Sequence, residues 1–192
     1  MIQILVLLFS FSPLTQAAEL PAKFERCIYC HEADGRSKMK YYPNLAAQQS
    51  VYISYNLHAF RDKTRNDPDA RNYMQYWAAK LTDEDIEIVA EYFSALPPVR
   101  GNPENPSVVA AGQQIFFRGI PDRKVPVCAS CHGAKGQGSG GIPRIAGQHA
   151  TYLAKQLLWF QNGERSSTKM GWVTKGLTPE DMEAVANFLE TL

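Results

Sequence analysis

Apolar residues recur at helical spacing along this chain, and the same pattern occurs twice. In the segment 52–60, Tyr52, Ile53, Leu57 and Phe60 share one face of a helix, because residues three and four apart lie side by side. One hundred positions later the face returns as Tyr152, Leu153, Leu157 and Phe160. The pattern predicts two equivalent amphipathic helices and an internal duplication.

N-terminal signals predict a second pair of helices. Thr82 and Thr178 each follow a leucine, and an aspartate, Asp85 or Asp181, stands three positions later. This is the capping box, in which the threonine side chain and the acid each accept a backbone N–H at the start of the helix. Buried faces at helical spacing follow, formed by Ile86, Val89, Ala90 and Phe93 in the first copy and by Met182, Val185, Ala186 and Leu189 in the second.

The two copies are joined by a proline-rich segment, 97–106, which is unsuited to a helix or a central strand. We interpret this segment as a linker between two all-α domains, 19–96 and 107–192. Each domain has about 80 residues, so its own apolar core would be marginal without a further stabilising group.

The N-terminal segment 1–18 has the pattern of a secretory signal peptide. An apolar run from Ile2 to Phe9 is broken at Pro13 and ends in small residues, although no basic residue precedes it. The run is too short for a spanning helix, which needs roughly 20 apolar residues. We expect cleavage after Ala17 or Ala18 and export, in a bacterium to the periplasm.

Charge excludes some classes of function. The 192 residues carry 20 basic and 19 acidic side chains, and no basic block stands out. The sequence therefore gives no support for nucleic-acid binding, nor for electrostatic binding to a membrane surface.

A short cysteine motif occurs once in each copy, as Cys27-Ile28-Tyr29-Cys30-His31 and as Cys128-Ala129-Ser130-Cys131-His132. A C-x-x-C-H run is the attachment signature of c-type haem: the thiolates become thioethers and the histidine ligates the iron. A four-cysteine zinc site would place its pairs some 15–20 residues apart, and a thioredoxin-like pair or plain disulfides would leave both histidines unexplained. We therefore expect two covalent haem c groups.

Each histidine fills one axial position of an iron, so a second ligand is needed. Met74 and Met170 each lie eight residues before the threonine of a capping box, in segments that we expect to be irregular. The alternative is that these methionines only fill gaps in the core. Met39 has no counterpart in the second copy. His58 and His149 do not correspond to each other, so we interpret both histidines as surface or capping residues. The carbonyl groups of Pro43 and Pro143 are candidate acceptors for the other ring nitrogen of each ligating histidine.

Together these motifs resemble one family. The chain resembles dihaem cytochromes of the cytochrome c4 type. The resemblance is carried by the two C-x-x-C-H runs, the P-x-[LI]-A-x-Q segment after each, the methionine before each L-T-x-E-D helix start and the proline-rich join. The resemblance covers nearly the whole mature chain. It implies two tandem class I cytochrome c domains, ligation by His31 with Met74 and by His132 with Met170, and histidine acceptors at Pro43 and Pro143. The sequence departs from the family after the first motif, where Glu32 to Met39 replace a glycine-rich run, so the first distal ligand could instead be Met39.

The same resemblance implies a function. Such proteins are periplasmic one-electron carriers that serve respiratory chains, often with loose membrane association, so we expect redox proteins as partners and no catalytic residue. An iron with both axial positions filled has no open site for a substrate, and methionine ligation raises its potential. The alternative is a dihaem oxidoreductase or its cytochrome subunit, such as a thiosulfate-oxidising or peroxidase-like enzyme, which would need a labile or absent distal ligand.

Overall fold

The computed structural model describes residues 20–192, and helices make up its regular structure. The predicted signal peptide, 1–18, lies outside the described residues. Within residues 20–192 there is no β-sheet, and no helix there is long and apolar enough to cross a membrane. The α-helices are α1 (Glu25–His31), α2 (Ser50–Arg61), α3 (Gln75–Ala78), α4 (Asp83–Ala95), α5 (Val109–Arg118), α6 (Ala129–His132), α7 (Ala150–Asn162), α8 (Thr168–Thr174) and α9 (Pro179–Glu190).

Buried side chains form two separate cores, one in each half of the chain. In the first half, α2 packs on α4 around Ile86 and Phe93, and in the second half α7 packs on α9. Both predicted amphipathic pairs are confirmed. Ile53 and Leu153 occupy the buried faces of α2 and α7, and Ile86 and Met182 occupy those of α4 and α9. The chain is therefore an all-α protein with two similar halves.

The capping boxes occur as predicted. Thr82 and Thr178 accept the N–H of Asp85 and Asp181, at 3.2 and 3.3 Å, and each aspartate accepts the N–H of its threonine in return. These reciprocal bonds satisfy two backbone donors that would otherwise have no partner at the start of the helix.

The segments before these helices are more regular than the sequence suggests. Met74 ends a five-residue π-helical turn, Ala70–Met74, that continues into α3, and Met170 lies inside α8. Near the start of the π-helical turn and of α8, a side chain that sequence analysis did not single out accepts a backbone N–H. Asp67 accepts the N–H of Ala70, and Ser167 accepts the N–H of Met170. The expectation of irregular structure around the two methionines is therefore wrong.

The proline-rich segment lies against the second domain. Val99 is buried, the N–H of Gly101 donates to the carbonyl of Glu190 at 2.9 Å, and the N–H of Asn105 donates to the side chain of Asn187 at 2.7 Å. Because these bonds hold its backbone, the segment is a fixed strap along α9. The exact boundaries at 97 and 106 stay a prediction.

Gly147 has a close contact with this strap. Its backbone is left-handed, with φ +69°, and a Cβ added to it would lie 1.8 Å from the carbonyl oxygen of Val99. The equivalent residue in the first domain is Ala47, which has a similar φ of +55° and a matching backbone bond to α4. The second domain therefore requires glycine where the first domain accepts alanine.

Replacing Gly147 by alanine is expected to lower the free energy of unfolding by about 2–3 kcal/mol, because the methyl group adds a clash to the cost of the left-handed backbone. The matched control, Ala47→Gly, should change it by less than about 1 kcal/mol. Denaturant unfolding of the two variants measures both effects. Equal, small changes would mean that the strap moves away without cost.

Candidate cofactor sites and the interface between them

The first cysteine motif lies on α1, the helix at the start of the described chain. Cys27 is half-buried against the first core, and His31, at the last helical position, is buried. Glu32 ends the helix with a φ of +60°. Three side chains of one short helix are thereby presented together, as expected from the periodicity of the motif.

The second motif has the same arrangement on α6. Cys128 stands at its N-cap and packs against the second core, and His132 ends the helix and is buried. Gly133, the next residue, has a φ of +82°. Glu32 occupies the equivalent left-handed position in the first domain, so the departure from a glycine-rich run does not alter how α1 ends.

Both histidines are held by the residues that sequence analysis nominated. Nδ1 of His31 donates to the carbonyl oxygen of Pro43, and Nδ1 of His132 donates to that of Pro143, each at 3.0 Å. Burial lowers the pKa of both imidazoles, against the opposing effect of these hydrogen bonds, so both are neutral at pH 7. Among residues 20–192, no hydrogen bond reaches Nε2 of either ring. A neutral imidazole with one nitrogen held and the other available is the form that ligates a metal.

The four cysteines form no disulfide with one another and lie in two separate places. Cys27 borders the core of the first half and Cys128 borders the core of the second. Among residues 20–192 the four cysteines therefore do not form one metal site. Burial raises the pKa of Cys27 to about 11, and it does the same for Cys128. A reactive thiol pair would have a lowered pKa, so the raised pKa values of Cys27 and Cys128 do not favour a thioredoxin-like function.

The four methionines considered as ligands or core residues occupy distinct environments. Met74 packs at the edge of the first core, Met170 is half-buried on α8, and Met182 is buried in the second core. Met39 is 54% exposed and lines a cavity of about 280 Å³ with Tyr41, Tyr42, Asp69, Tyr73 and Lys155. The surroundings of Met74 therefore match those of Met170 better than the surroundings of Met39 do.

Residues in each domain thus fit a covalently attached haem. A neutral imidazole with a free Nε2, two thiols on the same helix face and a half-buried methionine are the donors that such a group uses. Because the two cysteines of each motif are three residues apart and the histidine follows the second cysteine directly, the helix presents all three side chains to one flat macrocycle.

The two domains meet through reciprocal amide contacts that sequence analysis missed. The side chain of Gln148 accepts the N–H of Asn44 at 2.8 Å and donates to the carbonyl of Asn44 at 2.9 Å. The side chain of Gln48 makes the same two bonds to Arg144, at 2.8 and 2.9 Å. The four residues are related by the offset of one hundred, so the interface has an approximate two-fold symmetry. The glutamine that recurs at 48 and 148 was the available signal.

Two arginines are also held at this interface, again one hundred residues apart. Arg65 and Arg165 both donate to Oε1 of Gln156, at 3.2 and 2.5 Å, and Arg165 also donates to the hydroxyl of Tyr52. Their guanidinium groups lie 4.6 and 4.5 Å from the ring centres of Phe60 and Phe160. Arg65 forms an ion pair of 2.8 Å with Asp67, whose side chain is fully buried.

The two histidines outside the cysteine motifs have different surroundings. His58 lies on α2 and contacts Arg61 at 2.9 Å, as a surface residue would. His149 stands at the N-cap of α7 without a side-chain cap bond. Its Nε2 lies 2.8 Å from the carbonyl oxygen of Ser37 in the first domain, and its Nδ1 lies 3.4 Å from Glu190 in the second. His149 therefore bridges the domains.

This bridge is expected to depend on pH. The hydrogen bond with Glu190 raises the pKa of His149. The Ser37 carbonyl and the charges of Glu190 and Glu104 act in the same direction, and burial opposes them. Glu104 is itself paired with Lys40, at 3.3 Å. Only protonated imidazole donates from both nitrogens. A raised pKa means that the stabilisation is complete below the unfolded pKa of about 6.5 and is lost as the pH rises through the higher folded value. We expect the free energy of unfolding to fall by about 1–2 kcal/mol when His149 loses its proton.

The measurement is the free energy of unfolding between pH 5.5 and 8.5 for the wild type and for His149→Gln. The difference between the two proteins should shrink as the pH rises. Parallel curves would contradict a charged bridge.

Comparison with known proteins agrees with this geometry. The family model for cytochrome c matches residues 18–97 and again 109–192. Cytochrome c-552 of Acidithiobacillus ferridurans is 35% identical over 181 residues, which is 92% of this chain and 79% of that protein. The thiosulfate dehydrogenase electron acceptor of Stutzerimonas stutzeri is 32% identical over 183 residues, covering 91% of this chain and 82% of that protein. A solved structure of cytochrome c4 from Acidithiobacillus ferrooxidans is 35% identical with a TM-score of 0.84, and the match covers 88% of this chain and 99% of that one.

The chain therefore belongs to the cytochrome c family, and its two tandem domains each bind one haem c covalently. Within the family it is a dihaem electron carrier of the cytochrome c4 type. The predicted fold class, the predicted cofactors and the family resemblance are all confirmed.

Proposed function

We propose that this cytochrome passes single electrons between periplasmic partners of a respiratory chain, taking them from a dehydrogenase or donor complex and delivering them to a terminal oxidase or reductase. The observation that carries the proposal is the presence of two equivalent sites whose proline acceptors, Pro43 and Pro143, are each followed by a residue of one shared interface. Each site has a histidine held by a proline carbonyl, at 3.0 Å in both domains. Electrons can then enter through one domain and leave through the other.

In this proposal the residues of each domain have fixed roles. Cys27 and Cys30 attach the first haem, and Cys128 and Cys131 attach the second. His31 and Met74 fill the axial positions in the first domain, and His132 and Met170 fill them in the second. Haem iron with both axial positions filled supplies one-electron oxidation and reduction without binding a substrate. Pro43 and Pro143 keep the imidazoles in place by accepting from Nδ1.

The likeness to a thiosulfate dehydrogenase electron acceptor supports a particular donor. We propose that a thiosulfate-oxidising dehydrogenase is one protein that reduces this chain. The chain then serves as the carrier and the dehydrogenase performs the catalysis. An enzymatic role for the chain itself has no support from the axial residues, since each domain offers both a histidine and a methionine.

Exposed aromatic residues follow each proposed methionine ligand. Tyr76 and Trp77 come just after Met74, and the ammonium group of Lys80 lies 3.9 and 4.7 Å from their ring centres. Trp172 comes two residues after Met170 and is also exposed. Exposed aromatic rings suit the small interfaces of transient redox complexes. We propose these two aromatic patches as the separate docking faces for donor and acceptor.

Neither half of the mature chain has a strong charge of one sign. Residues 19–100 carry 11 basic and 12 acidic side chains, and residues 101–192 carry 9 and 7. Docking through such surfaces depends little on long-range steering. We also propose that the segment 1–18 directs export of the protein. The exported protein then associates loosely with the membrane, where respiratory complexes lie.

The test is stopped-flow electron transfer from a purified thiosulfate dehydrogenase to this protein, and from this protein to a terminal oxidase, over a range of ionic strengths. We expect a shallow salt dependence for both reactions. Trp77→Ser should slow the reaction with one partner and Trp172→Ser the reaction with the other. If the dehydrogenase reduces the protein no faster than free thiosulfate does, the proposed donor is wrong. A steep fall with salt would assign docking to a charged surface instead.

A further inference from the structure

Residues 44 and 144 are each fixed on both sides of the backbone by a side chain of the other domain. Gln148 binds the N–H and the carbonyl of Asn44, and Gln48 binds the N–H and the carbonyl of Arg144. The distances are 2.8–2.9 Å, and Gln48, Gln148 and Asn44 are all at most 7% exposed. Two buried bonds from one rigid amide leave residues 44 and 144 little freedom to rotate.

The bonded N–H groups belong to the peptide units that hold the histidines. The N–H of Asn44 shares its peptide bond with the carbonyl of Pro43, which accepts from Nδ1 of His31. The N–H of Arg144 shares its peptide bond with the carbonyl of Pro143, which accepts from Nδ1 of His132. Each imidazole is therefore connected, through a single peptide unit, to a glutamine of the other domain.

We propose that Gln48 and Gln148 are positioning residues that act across the interface, so that each domain sets the electron-donating strength of the histidine in the other. The proposal rests on the ligation by His31 and His132 proposed above. Gln48 acts on His132, and Gln148 acts on His31. Neither glutamine touches the imidazole that it influences.

The direction of the effect follows from hydrogen-bond polarisation. When an amide N–H donates, the carbonyl oxygen of the same peptide unit becomes a better acceptor, because chains of hydrogen bonds strengthen one another. A better acceptor at Pro143 draws the Nδ1 proton of His132 more strongly and makes the ring a stronger base. A more basic imidazole favours the oxidised iron. Loss of the glutamine amide should therefore raise the potential of the domain opposite to the mutated one.

The experiment uses the holoprotein and replaces Gln48 by methionine, which keeps the length of the side chain and removes its hydrogen bonds. We expect the reduction equilibrium constant of the second domain to rise about three- to tenfold, which is about 30–60 mV at 59 mV per tenfold change. The first domain should change less than twofold. Gln148→Met should give the opposite pattern. The potentials are assigned to domains by NMR, from hyperfine-shifted signals that show contacts to residues of one domain.

Gln49→Met is the matched control. Gln49 also donates across the interface, to the carbonyl of Gln137 at 2.9 Å, but that bond does not involve a peptide unit that holds a histidine. We expect no change in either potential. A purely structural role for the glutamines would shift both potentials in every variant, including the control, and would overturn the proposal, as would a change confined to the mutated domain.

A conservative variant gives a second, independent reading. Gln48→Glu keeps an acceptor for the N–H of Arg144 and adds negative charge, so the potential of the second domain should stay at or below that of the wild type. A rise would contradict the polarisation argument even if the methionine variant folds poorly. The wild-type NMR spectrum separates this inference from the proposed ligation. If it lacks the shifted signals of ligating histidine and methionine, the ligation is wrong; if it has them and the crosswise pattern is absent, only this inference fails.

Discussion

Replacement of Met170 by alanine is expected to remove the sulfur ligand of the second domain and to leave the first domain unchanged. The near-infrared charge-transfer band of sulfur-ligated haem in the oxidised protein should fall by about half, because one of two equivalent sites loses its methionine. The midpoint potential of that domain should fall by at least about 100 mV, within the roughly 0.8 V over which axial ligands move haem potentials. Optical redox titration of the variant measures both changes.

Two other methionines provide the controls for this prediction. Met182→Leu removes a sulfur from the buried core of the second domain and should leave the band unchanged, apart from a small loss of stability. Met74→Ala should remove the half of the band that belongs to the first domain. Met39→Ala should have no effect, since Met39 is largely exposed. If Met39→Ala removes the band and Met74→Ala does not, the ligand of the first domain is Met39.

Local features of this protein could be predicted from sequence because they depend on neighbouring residues. The capping boxes at Thr82 and Thr178, the two amphipathic helices and the duplicated cysteine motif each lie within a few turns of the chain, where spacing determines geometry. The acceptors Pro43 and Pro143 were nominated for the same reason. They follow the histidines by 12 and 11 residues, within reach of one loop.

The interface could not be derived in the same way. Whether Gln48 meets Arg144 depends on how two folded domains are oriented, and no local periodicity encodes that orientation. His149 illustrates the limit: from its position it was interpreted as a surface or capping residue, yet it bridges Ser37 and Glu190 across the two domains. The usable signal was the conservation of polar residues between the two copies. Glutamine at 48 and 148 and arginine at 65 and 165 repeat at the offset of the apolar core, which indicates a shared contact.

The buried carboxylate of Asp67 should make the protein's stability depend strongly on Arg65. Asp67 is fully buried and has two partners among the described residues, the guanidinium of Arg65 at 2.8 Å and the N–H of Ala70 at 3.1 Å. Arg65→Met would leave this carboxylate without its cation, in the turn that leads into Met74 and α3. Removing one partner of a buried ion pair typically costs about 3–5 kcal/mol, because the remaining charge is neither solvated nor paired.

We therefore expect Arg65→Met to lower the free energy of unfolding by about 3–5 kcal/mol, and the double variant Arg65→Met/Asp67→Asn to recover at least half of that loss, since the amide carries no charge and its oxygen can still accept the N–H of Ala70. Guanidinium chloride unfolding of the wild type, both single variants and the double variant completes the thermodynamic cycle. Additive effects in that cycle would show that Arg65 stabilises the protein through its contacts with Gln156 and Phe60, whereas a coupling energy of several kcal/mol would assign its role to the buried carboxylate.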